Sequence, residues 1–149
     1  MTHSLLGPEA ICWLGVHYKT LLSSAASNGA LSIVDSVSPA GSGPPRHIHH
    51  DADESFVVLS GDVEFWLEGF SVVKPPGQAA FVPRGVPHSF RVLSDSPARH
   101  LVMLTPGGFE GFFVEMAAGQ YRIPEDMGVI EQIAQRYHMS FTGPPLGAE

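Results

Sequence analysis

Residues 41–61 read GSGPPRHIHHDADESFVVLSG. The Pro- and Gly-rich loop over 39–46 can hold no regular element, and it runs straight into His47, His49 and His50. On a strand, residues i and i+2 project from one face. His47 and His49 therefore aim two imidazoles at one point, as a metal site requires. The polar run His50-Asp51-Ala52-Asp53 turns the chain. Glu54 opens the next apolar strand, and if that strand doubles back, its carboxylate reaches the same point. Phe56 and Val58 share its face and would wall a pocket. By alternation His50 points away and reads as solvated; Asp51 and Asp53 read as turn residues.

Working outward, short apolar and β-branched runs alternate with turn signals. The pattern predicts strands over 11–22, 30–37, 47–49, 54–59, 63–67, 71–73, 78–82, 88–93 and 98–104. Turns over 60–62, 68–69, 75–77 and 83–85 separate them. Strands this short and this regularly spaced predict an all-β sandwich or barrel. After Pro106 the period changes. Phe109, Phe112, Phe113 and Met116 form one helical stripe. A second helix is expected from Pro124, with Glu125 and Asp126 suiting its dipole. Its stripe is Ile130, Ile133, Ala134 and Tyr137, and Gly143-Pro144-Pro145 stops it. Both stripes read as packing surfaces against the outside of the barrel. With no repeat and no linker, residues 1–149 form one domain: a barrel over about 11–105 and a helical extension over about 106–149. Residues 1–10 read as a loose arm.

Composition excludes several classes. A chain that is 44% hydrophobic and 15% charged does not fit disorder, which needs low hydrophobicity and high charge. A net charge of -7 with only 8 Lys and Arg leaves no basic stripe for phosphates, so no nucleic-acid partner is expected. No apolar run approaches the roughly 20 residues of a membrane span, so no membrane partner is expected. The start lacks a charged-then-apolar leader, which makes a cytoplasmic location the expectation. The single cysteine, Cys12, cannot form an internal disulfide; between Ile11 and Trp13 it is expected to be a buried structural thiol.

His88 follows the rigid turn Pro83-Arg84-Gly85-Val86-Pro87 and opens a strand. Alone it would be an ordinary polar residue. Together, however, Gly41-xxxxx-His47-x-His49-xxxx-Glu54-xxxxxx-Gly61 resembles the first motif of the cupin superfamily, and Gly77-xxxxx-Pro83-x-Gly85-xx-His88 resembles the second. The chain departs from the pattern at Val92, where asparagine is common. The stretch 105–113, TPGGFEGFF, resembles the tail of small single-domain cupins (cupin 2 type) called quercetin 2,3-dioxygenase-like.

The resemblance implies a single cupin jelly-roll (double-stranded β-helix) barrel; with the two helical stripes read above, the expected fold is all-β with two C-terminal α-helices packed outside the barrel. The resemblance implies a metal site made of His47, His49, Glu54 and His88. Three imidazoles and a carboxylate suit one divalent transition metal per chain, whether Fe, Mn, Ni, Cu, Co or Zn. They are too rich in nitrogen for calcium and too poor in thiolate for a structural zinc. It also implies a homodimer paired through an edge strand, with 11–22 as the candidate.

The candidate substrate-pocket residues are Phe56, Val58, Phe65, Phe81, Phe90, Val92 and Met103. That wall is apolar and aromatic, without a cluster of Arg or Lys. It suits a small aromatic or phenolic substrate better than a phosphorylated sugar. The leading expectation is a metal-dependent dioxygenase of quercetinase-like type, taking dioxygen as co-substrate, with Glu54 as ligand and general base. Two other classes stay open: a non-catalytic small-molecule or metal-binding cupin, and a metal-dependent isomerase or decarboxylase.

Overall fold

The computed structural model describes residues 5–148. Of the arm expected over 1–10, residues 1–4 lie outside the described residues, and Leu6 is buried.

Leu14 and Gly15 have φ of 51° and 80°. Two successive residues with positive φ make the tight turn that suits a hairpin, so the run expected as one strand over 11–22 folds back on itself. It forms β1 (Ile11–Trp13) and β2 (Val16–Leu22). Then follow β3 (Ser32–Ser38), β4 (Pro45–His49), β5 (Asp53–Ser60), β6 (Val63–Leu67) and β7 (Phe70–Lys74). After these come β8 (Ala79–Val82), β9 (His88–Val92) and β10 (Ala98–Thr105). The helices α1 (Glu110–Gly119) and α2 (Met127–Arg136) precede a last strand, β11 (Met139–Pro145).

The strands form two antiparallel sheets in the order β1-β2-β3-β10-β5-β8 and β11-β4-β9-β6-β7. This is the jelly-roll arrangement. Strand alternation builds the space between the sheets. On β5, Glu54, Phe56 and Val58 are buried; on β10, Ala98, His100, Val102 and Leu104 are buried. One end of the interior is close-packed by Val58, Val63, Phe65 and Val92. Each such side chain contributes about 1.5–3 kcal/mol by leaving water.

Cys12 is exposed rather than buried. In the three-residue β1 the inward place goes to Trp13, whose indole N–H donates to the Tyr121 carbonyl at 2.7 Å. The second helix begins at Met127, not Pro124, because Arg122–Asp126 closes first as a turn: the Asp126 carboxylate accepts the Arg122 N–H at 2.7 Å. The segment read as a helix stop is a strand. Beyond His138, at φ 58°, β11 pairs with β4, setting Met139 opposite His49 and Phe141 opposite His47. Pro144 and Pro145 are tolerated because β11 is a sheet edge, where a missing N–H leaves no ladder bond unmade.

Candidate metal centre

Four side chains meet between the sheets. Strand β4 turns His47 and His49 inward, β9 begins with His88 directly opposite His47, and β5 brings Glu54 from the other sheet. All four are buried, and one ligand atom from each lies within 4.8 Å of the others. The His47 and His88 rings donate their Nδ1–H to the carbonyls of Pro45 and Val86, at 2.8 and 2.9 Å. Those bonds place the proton on Nδ1 and turn Nε2 toward the centre. His88 Nε2 lies 2.8 Å and His49 Nε2 3.4 Å from Glu54 Oε1.

The electrostatics are those of a carboxylate among imidazoles. Burial acts to raise the Glu54 pKa, but His49 and His88 override it and hold the carboxyl well below its usual range. Burial, aided by His88 and His49, holds His47 well below the usual imidazole value. Burial also acts to lower His88, yet the bond to Glu54 leaves it raised. His49 Nε2 is buried without a hydrogen-bond partner among the described residues. An unpartnered ring nitrogen beside two oriented ones and a carboxylate fits a divalent transition-metal ion, and this cluster could hold one.

The centre opens into a cavity of about 230 Å³. By the measure in which one water occupies about 10–15 Å³, that is room for an organic molecule. Phe56, Phe90, Trp13, Phe109, Phe112 and Phe113 are among its lining residues, and among the described residues no Arg or Lys is. Phe109 sets its ring against His49 at 4.5 Å and 88°, while Phe113 stacks on Tyr18 at 4.3 Å.

Residues 34–104 match the family model described as Cupin domain. This stretch is a cupin domain. Over 88 residues the chain is 34% identical to quercetin 2,3-dioxygenase of Bacillus subtilis, a match covering 58% of this chain and 26% of that protein. The chain thus spans about a quarter of the length of the curated relative it matches. A predicted oxalate decarboxylase from Thermotoga maritima is 26% identical with a TM-score of 0.57, covering 61% of this chain and 80% of that one. The cupin domain of Schizosaccharomyces pombe Cnp3 has a TM-score of 0.60 over 83% of both chains, and at 17% identity it shows the fold alone.

The structure sorts the expected pocket residues into three groups. Phe56 and Phe90 line the cavity. Val58, Phe65 and Val92 are buried in the packed end and do not line it. Phe81 and Met103 do not face it either: Phe81 is 57% exposed, because Ala80 and Val82 take the inward places on β8. Met103 sits opposite Ser55 on the outer face, and Val102 takes the cavity side. His50 is exposed and bonds Ser140 Oγ at 2.8 Å. Asp53 pairs with Arg84, and Asp51 lies 3.6 Å from His138, so neither aspartate orients a ligand imidazole. The aromatic stripe of α1, expected only to pack, also walls the cavity.

One polar group went unforeseen. His100, on β10, lines the cavity with Ser36 and Ser38 of β3. The alternation Ala98-x-His100-x-Val102-x-Leu104 was the available signal, since it marks His100 as inward.

Proposed function

We propose that this cupin is a metal-dependent dioxygenase of quercetinase-like type acting on a small aromatic or phenolic compound. The observation that carries the proposal is a buried three-histidine, one-carboxylate cluster opening into an aromatic cavity without a cation. The 34% identity to a quercetin 2,3-dioxygenase supports it. His47, His49, Glu54 and His88 would hold the metal, one per chain, drawn from Fe, Mn, Ni, Cu, Co or Zn. When bound, the metal would supply Lewis-acid chemistry toward a phenolic oxygen and, for the members of that set other than redox-inert zinc, redox chemistry toward dioxygen.

The chain's own residues do the rest. Phe56, Phe90 and Phe109 offer flat faces and edges that orient an aromatic ring. They also exclude water, which strengthens every polar contact at the centre. Glu54 is ionised at neutral pH, so its carboxylate can accept the proton of the substrate hydroxyl.

A decarboxylase is the second reading, favoured by the 26% identity to the predicted oxalate decarboxylase. A small dicarboxylate would call for a cationic partner, and the lining residues include no Arg or Lys. The edge strand β1 is the candidate pairing edge of a homodimer, which sedimentation would reveal.

The deciding experiment is oxygen uptake by metal-saturated protein with flavonols and catechols. Turnover that persists under strict anaerobiosis overturns the dioxygenase. Tight ligand uptake with no oxygen use for any metal makes the chain a binding module.

A further inference from the structure

The cavity has a second polar end that the metal centre does not use. His100 is 2% exposed and Ser36 is fully buried. His100 Nε2 is satisfied by Ser38 Oγ at 3.0 Å. His100 Nδ1 and Ser36 Oγ have no hydrogen-bond partner among the described residues. The two residues are direct partners across the β3–β10 ladder, so both unpaired atoms belong to one spot on the wall. Leaving a buried polar atom unpaired costs about 1–3 kcal/mol. Both residues line the cavity, so an occupant that reaches this spot can supply the missing partner. Burial also holds the His100 pKa down, to about 4, so near neutral pH the ring is an uncharged hydrogen-bonding group.

The position sets the reach. His100 packs edge-on against Phe90 at 5.1 Å and lies 6.3 Å from Phe56. Phe90 and Phe56 each stand two residues beyond a member of the metal cluster, His88 and Glu54. At about 3.3 Å per residue, the His100 end is separated from the centre by about 7–13 Å along the strands. The rings of Phe56 and Phe90 line the span between.

We propose that His100 and Ser36 form a distal polar anchor, which hydrogen-bonds an oxygen on the far end of an elongated, two-ring aromatic ligand whose near oxygen faces the His47–His49–Glu54–His88 centre. This rests on the aromatic-substrate reading above and deepens it. It assigns a ligand class: flat molecules with a hydroxyl or carbonyl at both ends, favoured over those with one.

The test measures binding, not turnover. Zinc-loaded protein is titrated calorimetrically with naphthalene-2,6-diol and with 2-naphthol, which differ by one terminal hydroxyl. The intact protein should prefer the diol roughly tenfold, the worth of a well-made hydrogen bond. His100→Phe, which keeps a ring and removes both nitrogens, should bring the two affinities together by weakening the diol alone. His100→Gln restores an amide donor and acceptor and should recover part of the preference. Ser36→Ala removes one oxygen and should lower the preference two- to threefold.

No diol preference in the intact protein overturns the anchor, as does a preference that survives in both His100→Phe and Ser36→Ala. Failure of either naphthol to bind overturns it too. Oxygen uptake, measured separately, decides the dioxygenase reading: a diol preference that depends on His100, with no oxygen consumed, would leave the anchor standing and sink the reaction.

Discussion

Phe109 meets His49 edge-on at 4.5 Å, whereas His47 and His88 each donate to a backbone carbonyl. Two rings of the centre are held by hydrogen bonds and the third by an aromatic contact from outside the sheets. Phe109→Ala should therefore loosen His49 alone. Groups that orient a metal-binding imidazole are typically worth 10–100-fold in metal affinity. The expectation is a loss of about tenfold, read by competition with a chromogenic chelator, with Phe109→Leu losing less. Unchanged affinity would show that the strand alone positions His49.

The ligand assignment has a sharper check. His49→Ala should lower bound metal severely, whereas His50→Ala should leave it nearly untouched, since His50 is exposed and turned toward Ser140. Elemental analysis of the two purified variants decides it. Equal loss from both would remove His49 from the set.

Metal removal should lower the melting temperature without unfolding the chain. A ligand that binds only the folded state adds about 2.7 kcal/mol at one hundred times its Kd. In a domain of this size, that is about 5–11 °C. The packed end around Val58, Phe65 and Val92 is buried and does not line the cavity, so it should persist without the metal. Circular dichroism before and after chelation gives the answer, and loss of the β signal at room temperature would contradict it.

Glu54→Gln keeps the size and a possible oxygen donor but removes the base. Turnover at saturating metal should fall about 10²–10⁴-fold, beyond any loss of metal. Parallel loss of metal and turnover would reduce Glu54 to a ligand.

His100 carries a pH signature. Burial lowers its pKa from 6.5 to about 4, with Glu54 and Asp35 opposing weakly. The folded state therefore keeps the ring neutral where the unfolded chain already takes up a proton. Below pH 6.5 the unfolded state binds more protons, so stability falls as pH drops toward 4. The slope from one group is at most about 1.4 kcal/mol per pH unit. Comparing melting temperatures of the intact protein and His100→Phe between pH 7 and pH 4.5 isolates it. The variant should lose less stability on acidification, and parallel curves would refute the burial argument.

The sheet pattern and the trio His47, His49 and Glu54 were legible because both are local, whereas His88, 34 residues beyond Glu54, joined them only through the motif resemblance. The spacing of His47, His49 and Glu54 carries its own geometry once the segment is a strand, and the turn before His88 announces where β9 begins. Pocket residues were less legible, because strand parity must be fixed before a side chain can be assigned a side. One step separates Met103 from Val102, and Phe81 from Val82. The wall contributed by α1 and β11 was not legible at all. Phe109 and Phe141 reach the cavity through docking that no periodicity encodes, and Gly143-Pro144-Pro145 spells a stop signal whether the chain ends there or becomes an edge strand.

The pairing of β11 with β4 also bears on how the molecule is made. Arg46 donates to the Pro144 carbonyl across 98 residues of sequence, and the ladder sets Phe141 against His47. Contacts this distant in sequence close late, after nearer pairings have shortened the loop between them. During synthesis the strand bearing His47 and His49 waits for its outer neighbour until 139–145 has left the ribosome. Until then the histidine strand is an open edge, and an early-arriving ion would meet two imidazoles on a strand still free to pair with something else.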